Sequence, residues 1–185
     1  MVLNKKIKIL LWGSNLWNLG EGMLGPLFAV FAGRVGGSLL EMSWAWATYL
    51  IVTGVFTIIV SRFADKKIKK THLLIFGNAL NALFTFGYIF VDSPLQLFAV
   101  QVGLGFAAAF VIPAWNALYS EFENKKHDEF EWGLASGEAQ ILSGIAIVIG
   151  GFIVSYYSFT LLFIIMGTVK ILATLSYARI LKIPR

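Results

Sequence analysis

The chain has 185 residues, of which 58% are hydrophobic and 14% are charged, and its mean hydropathy is +0.76. This composition excludes an ordinary soluble domain and predicts an integral, multi-pass membrane protein in contact with the lipid bilayer. A net charge of +5 is compatible with nucleic-acid binding, but the cations border the apolar runs, so membrane topology explains them better than a nucleic-acid partner does.

Hydropathy predicts six membrane-spanning helices in an all-α fold, since one crossing of the bilayer needs about 20 apolar residues. The predicted spans are 9–32, 43–61, 73–91, 95–118, 132–154 and 159–181. Asn15, Asn18 and Glu21 interrupt the first apolar run, which is too long for a signal peptide and is predicted to be a retained span. The turns at 92–94 and 155–158 are so short that the helices on either side should be antiparallel neighbours.

The distribution of Lys and Arg predicts the orientation of the chain in the membrane. Of the 15 such residues, thirteen lie before the first span, between the second and third spans, between the fourth and fifth spans, or after the last span. The opposite loops contain only Arg34, and Lys170 lies inside a span. Under the positive-inside rule this asymmetry predicts that both termini lie in the cytoplasm. We expect the membrane to be the plasma membrane.

The two halves of the chain resemble each other. Pro26 and Pro113 each follow a glycine-rich stretch at a similar depth in the first and fourth spans, and Glu41 and Glu131 precede a matching hydroxyl and glycine pair by the same interval. Because the first span runs outward and the fourth inward, matching halves would be inverted repeats, as in many transporters. The sequence thus predicts a single domain, 1–185, with three-helix repeats at about 7–91 and 95–181.

The stretch SRFADKKIKK, residues 61–70, is a block of cations between two apolar runs. It resembles the signature loop of the major facilitator superfamily, G-x-L-A-D-R-x-G-R-R, between the second and third helices of that family. The positions that match in kind are Ala64, Asp65, Lys66, Lys69 and Lys70, whereas Ser61 and Ile68 replace the two glycines. The alternative is a pure topology signal, although such a signal would not require an aspartate after a small residue.

The fourth span, GLGFAAAFVIPAWNALYSE, is also similar to the glycine- and alanine-rich fourth helix of that superfamily. The arginine usual before its glycine pair is absent, with Ala99 near its place, and the fifth span lacks the Gly-Pro pair of the exporter motif, although Gly150-Gly151 remain. The resemblance covers the whole chain, but as the amino-terminal six-helix half of a twelve-helix family. It implies secondary transport of a small solute by alternating access.

The resemblance also implies a second half. Two copies related by a twofold axis along the membrane normal would rebuild twelve helices, so we expect a homodimer, with a heterodimer and a fragment as open alternatives. In the homodimer Asp65 would approach segment 132–134 of the other copy, and Gly54, Ala146 and Gly150 would let the second and fifth helices pack closely. The residues expected at this conformational gate and interface are Asp65, Arg62, Lys66, Lys69, Lys70 and Glu138.

Polar and small residues form one face of the first span and one face of the fourth. Asn15 and Asn18 recur at helical spacing with two glycines, and Gln101 and Asn116 do so with small residues. These two helices line the central cavity in the family that the chain resembles. The alternative is that the amides only hydrogen-bond neighbouring helices.

Glu21 and Lys170 fall near the middle of the first and sixth spans. A charge at that depth costs at least about 2.5 kcal/mol, so each side chain requires a partner, water or neutralisation. We expect a Glu21–Lys170 ion pair, because the Lys170 ammonium is too deep to reach the membrane surface. A permanent pair would be structural, whereas a Glu21 side chain that faces the cavity would be a candidate proton carrier.

The sequence therefore predicts a secondary transporter, and the residues expected in its substrate cavity or proton pathway are Asn15, Asn18, Glu21, Gln101, Trp115, Asn116 and Lys170. Trp46, Tyr49 and Trp115 could stack on a sugar or drug ring, or only pack or anchor in the membrane. No catalytic, nucleotide-binding or metal-binding motif is present, so we expect neither an enzyme nor a cofactor. The competing hypotheses are a non-transporting scaffold or assembly subunit, and half of a heterodimeric transporter.

Overall fold

The computed structural model describes residues 3–64 and 68–183, and these residues form an all-helical fold. The α-helices are α1 (Lys5–Gly22), α2 (Leu27–Arg34), α3 (Leu39–Ala64), α4 (Lys70–Gly87), α5 (Pro94–Phe122), α6 (Asp128–Tyr156) and α7 (Phe159–Ala178). Two 3₁₀ helices, Tyr88–Phe90 and Arg179–Lys182, extend α4 and α7. In this part of the chain α3 to α7 are each long and apolar enough to cross a membrane, which confirms a multi-pass membrane protein.

The first predicted span, 9–32, consists of two helices. The helix α1 ends at Gly22 and α2 begins at Leu27, and residues 23–26 between them form turns. Neither of these helices is among the five that by themselves are long and apolar enough to cross a membrane, counted over the described residues. The count of six spans therefore stays a prediction.

The two prolines that the sequence pairs as equivalents have different local structures. Pro26 stands at the N-cap of α2, after a stretch with three glycines, and the helix is interrupted there. Pro113 lies inside α5, which continues through it. A proline removes one backbone hydrogen bond in either case, and neighbouring helices in membrane proteins compensate for that loss to different extents. The inverted repeat stays a prediction, and the halves differ at this point.

Serine side chains fix the starts of helices at the short connections. The Ser158 hydroxyl accepts a hydrogen bond from the amide of Leu161 at 3.1 Å, at the start of α7. At the start of α3, the amide of Ser38 donates to the Glu41 carboxylate at 2.7 Å and the amide of Glu41 donates to the Ser38 hydroxyl at 3.2 Å. This reciprocal pair is a capping box.

The long helices pack as an open arc in the order α3, α5, α4, α7, α1, α6. The helices α4, α5 and α7 lie inside the arc and are the most buried, whereas α3 and α6 lie at its two ends. One cluster of buried apolar residues surrounds Phe31 and Phe163, and a second surrounds Tyr119 and Tyr177. Lys170 lies between the two clusters along α7, so the middle of this helix is polar where both ends are apolar.

One end of the bundle collects most of the cations. The Asn4 side chain donates to the carbonyl of Phe122 at 3.3 Å, which joins the start of α1 to the end of α5. The Lys70 ammonium lies 3.0 Å from the Glu121 carboxylate, which joins the start of α4 to the same region. The starts of α1 and α4 and the end of α5 therefore share one end of the bundle, as the topology prediction requires, while the side of the membrane stays a prediction.

Candidate substrate cavity

Two adjacent cavities lie among α1, α3, α5 and α6. The first cavity has a volume of about 390 Å³ and the second a volume of about 280 Å³. Both are lined by Asn18 and Tyr49, so the two cavities meet at these side chains. The other residues around the first cavity include Ser14, Trp17, Ile112, Trp115, Asn116, Trp132 and Ser136. The other residues around the second cavity include Glu21, Phe28, Trp46, Tyr88, Gln101 and Ser143.

The second cavity lies at the break between α1 and α2. A Cβ atom at Gly22 would lie 2.9 Å from the Cβ of Ala146 on α6, so only glycine allows the two helices to approach this closely. A Cβ atom at Gly150 would collide with the carbonyl oxygen of Met23, the first residue of the break. The backbone keeps helical dihedral angles at Met23 and Pro26, so the break is a loss of helix hydrogen bonds at Pro26. Backbone groups freed in this way at membrane depth are tolerated where they line a cavity or are buried in protein. The end of α1 meets both conditions.

The expected ion pair is present between the end of α1 and the middle of α7. The Lys170 ammonium lies 2.5 Å from the Glu21 carboxylate oxygen Oε2, and it also donates to the Thr85 hydroxyl at 3.1 Å. It lies 5.2 Å from the centre of the Trp17 ring, within the range of a cation–π contact. The Lys170 side chain is 2% exposed, whereas that of Glu21 is 42% exposed. Glu21 therefore screens a buried cation from the second cavity.

Gln101 lines the same cavity and carries a hydrogen-bond donor that no other described residue uses. Its side chain is 2% exposed, and its amide oxygen accepts a hydrogen bond from the Tyr88 hydroxyl at 3.2 Å. Its amide nitrogen Nε2 has no hydrogen-bond partner in the described part of the chain. A buried polar group without a partner costs about 1–3 kcal/mol, so such groups often mark a site that another molecule completes.

Aromatic rings surround the polar groups of both cavities. In the second cavity the Trp46 ring lies 5.4 Å from that of Phe28 and 5.8 Å from that of Tyr49, measured between centroids. In the first cavity the Trp115 ring stacks on Tyr119 at 4.8 Å. Asn116 also lines the first cavity, where the Asn18 amide donates to the backbone carbonyl of Ser14 at 2.9 Å. The cavities thus combine flat apolar walls with a few polar groups, as small-molecule sites do.

The other predicted residues that the structure describes lie outside the two cavities. Asn15 donates through its amide nitrogen to the Glu138 carboxylate at 2.7 Å, which joins α1 to α6 within the chain. Arg62 is exposed near the end of α3, and Lys69 is exposed at the N-cap of α4. Lys70 forms the ion pair with Glu121 described above. Asp65 and Lys66, the other members of the expected gate, lie outside the described residues.

The expectation that Ala146 and Gly150 lie at an interface between copies is wrong. Ala146 is fully buried, and both residues pack inside the chain against the end of α1. The spacing of small residues along α6 does not distinguish the face toward α1 from the opposite face. That opposite face carries Gly137 and Gly144, where a Cβ atom would meet nothing within 4 Å among the described residues. Gly54 of α3, the third residue expected there, has the same open surroundings.

Sequence reasoning missed Thr85 and Tyr88 as members of the site. Thr85 binds Lys170, and Tyr88 binds Gln101. A signal was present for Thr85, because Asn78, Asn81 and Thr85 recur at helical spacing along the third predicted span and are buried together. Tyr88 stands at the end of that span, where an aromatic residue suggests a membrane-interface anchor instead.

Comparisons with known proteins agree with this architecture. The family model of the Major Facilitator Superfamily matches residues 10–185. An uncharacterized MFS-type transporter of Methanocaldococcus jannaschii is 26% identical to this chain over 163 residues, which are 88% of the chain. The chain spans 42% of the length of that relative.

Proposed function

Because the chain belongs to the major facilitator superfamily, we propose that it is a secondary transporter that moves a small solute by alternating access. The observation that carries this proposal is the pair of joined cavities, of which the second lies at the break between α1 and α2, beside the ion pair of Glu21 with the buried Lys170. Sites at interrupted helices near the middle of the bilayer are common in secondary transporters. The two cavities would form one half of the substrate pathway.

In this proposal α1 and α2 cross the membrane together, so the chain has six spans that form two inverted repeats within a single domain. Both termini lie in the cytoplasm, and the bundle would be completed by a second set of helices across the arc. We propose that a second copy of the chain supplies that set, and the open faces of α3 and α6 support this, since they carry Gly54, Gly137 and Gly144 without any contact that requires glycine.

The pairing of copies has a direct test. Mass photometry of the chain in lipid nanodiscs measures its oligomeric state, and single cysteines at Asp65 and Leu134 test the geometry. A dimer with a 65–134 crosslink between copies supports the rebuilt twelve-helix arrangement. A monomer without that crosslink removes the homodimer and favours a heterologous second half.

Alternating access can be tested before any substrate is known. The sequence contains no cysteine, so one introduced cysteine is the only thiol. Ser143→Cys lines the second cavity, and Ala146→Cys, one turn away on α6, is the matched buried control. In proteoliposomes a membrane-impermeant maleimide should label Ser143→Cys when added to either side and should not label Ala146→Cys. Labelling from neither side would favour a packed, non-transporting scaffold instead.

Proton coupling through Glu21 is the more specific part of the proposal. The Glu21 carboxylate lines the second cavity and also holds the Lys170 ammonium, so gain of a proton would release that contact. We expect acidification to change the side from which Ser143→Cys is labelled, and we expect Glu21→Gln to remove this pH dependence. A pH dependence that persists in folded Glu21→Gln protein would rule out Glu21 as the proton carrier.

A further inference from the structure

The polar groups that line the second cavity include a hydrogen-bond donor and an acceptor that no other described residue uses. The donor is Gln101 Nε2, which is buried and unpartnered among the described residues. The acceptor is Glu21 Oε1, because the Lys170 ammonium binds the other carboxylate oxygen, Oε2. Both side chains line the same cavity of about 280 Å³. A solute with both an acceptor and a donor would therefore complete both groups.

The charges around the cavity favour a neutral solute. The negative charge of Glu21 is already balanced by Lys170 at 2.5 Å, and Lys170 is buried behind it. No Lys, Arg or His side chain lines the cavity in the part of the chain that the structure describes, so an anion would find no counter-charge. A quaternary ammonium ion would compete with Lys170 for Glu21 and would leave Gln101 Nε2 without an acceptor.

The walls of the cavity suit a solute with flat apolar faces between its polar groups. The rings of Phe28, Trp46, Tyr49 and Tyr88 line it. Aromatic rings bind the apolar C–H face of a ring-shaped molecule while its edge remains free for hydrogen bonds. The volume of about 280 Å³ is close to the lower end, about 300 Å³, of the range of small-molecule sites, so the cavity suits one small ring compound.

We propose that the second cavity binds a neutral polyhydroxylated solute of the size of a monosaccharide. One hydroxyl donates to Glu21 Oε1, an oxygen of the solute accepts from Gln101 Nε2, and the ring lies against the aromatic wall. This assignment names the substrate class of the transporter proposed above, and it rests on that function only in treating the bound solute as cargo.

The test measures how well solutes protect Ser143→Cys, which lines the same cavity, from maleimide. The neutral probes are D-xylose, D-glucose and myo-inositol, and the comparison probes are acetate, tetramethylammonium and L-alanine. We expect at least one neutral probe to slow labelling and the comparison probes to have no effect. In the Gln101→Leu background the concentration for half protection should rise about tenfold, the effect of one lost hydrogen bond.

Controls separate a direct contact from a folding defect. Gln140→Leu makes the same substitution at an exposed position of α6 outside both cavities, and it should leave protection unchanged. The labelling rate without any probe reports whether the cavity of each variant is intact. If Gln101→Leu disturbs that rate, Gln101→Glu keeps the shape of the side chain and replaces the donor by an acceptor, and it should also lose protection.

The outcomes distinguish this inference from the proposed function. Protection by tetramethylammonium, acetate or L-alanine alone, or by no probe, overturns the assignment to neutral hydroxylated solutes, and two-sided labelling of Ser143→Cys would still support transport. Protection by a neutral probe in a protein that is labelled from one side only would support the proposed binding site and contradict alternating access. Equal protection in the Gln101→Leu and Gln140→Leu variants would show that Gln101 does not touch the solute.

Discussion

The helices inside the arc bury far more of their residues than the helices α3 and α6 at its two ends. In the most apolar 18-residue stretch of each helix, 56% of the residues are buried in α5, but only 11% in α3 and 17% in α6. Small residues on inner helices are required by contacts within the chain. At Gly77 of α4, for example, a Cβ atom would lie 2.8 Å from the Cβ of Phe110 on α5.

The end helix α6 combines both kinds of surface. Its inner face holds Ala146 and Gly150 tightly against the end of α1, and its outer face exposes Ile141, Gly144 and Val148. Lipid chains require no glycine, since their hydrocarbon adapts to any apolar side chain. The glycine on the outer face therefore has no structural reason among the described residues, and the proposed second copy would supply one. Substitutions on the two faces, and at the inner ion pair, test this contrast.

The largest effect is expected at the buried ion pair. Glu21→Gln removes the negative charge that balances the Lys170 ammonium, which is 2% exposed, and leaves it only neutral acceptors among the described residues, such as the Thr85 hydroxyl and the Trp17 ring. Breaking a buried pair in this way costs about 3–5 kcal/mol, so the free energy of unfolding should fall by about that amount. Reversible unfolding in mixed detergent micelles measures it.

The ion pair also predicts an asymmetry between its two members. Lys170→Met leaves a carboxylate that is 42% exposed to the second cavity, so we expect a smaller loss than for Glu21→Gln. The double variant, with Glu21→Gln and Lys170→Met, should recover part of the lost unfolding free energy, because it leaves no unpaired charge. Lys70→Met, which breaks the exposed pair with Glu121, is the matched control and should cost at most about 1 kcal/mol. Equal losses for Glu21→Gln and Lys70→Met would contradict the burial of Lys170.

The next effect is expected on the inner face of α6. In Gly150→Ala the new methyl group would collide with the Met23 carbonyl, a backbone atom that cannot rotate away. Overpacking of this kind costs about 1–3 kcal/mol, and we expect a loss of that size in the same unfolding experiment. The variant should also change the labelling of Ser143→Cys, because the break of α1 borders the second cavity. Unchanged stability and labelling would mean that α6 does not lie against the break.

Much of this architecture follows from the sequence, and its limits have a physical cause. Apolar length predicts the five long helices, and the cost of burying a charge predicts that Glu21 meets Lys170. The break after Gly22 was not predicted, because glycine and proline are also frequent in continuous membrane helices, as Pro113 in α5 illustrates. Local spacing also assigned Ala146 to the wrong face of α6, since only the position of α1 decides which face is inside.

The smallest effect on stability, and the sharpest test of the comparison, is expected on the outer face of α6. Gly144→Ala adds a methyl group that meets nothing within 4 Å among the described residues, and alanine favours a helix over glycine by about 0.5–1 kcal/mol. The free energy of unfolding of the isolated chain should therefore rise slightly. This change has the opposite sign to that expected for Gly150→Ala, six positions further along the same helix. If a second copy packs closely on this face, the same methyl group separates the two helices, and the dimer fraction in nanodiscs should fall. A gain in stability with an unchanged dimer fraction would leave the outer face of α6 to lipid and place the contact between copies elsewhere.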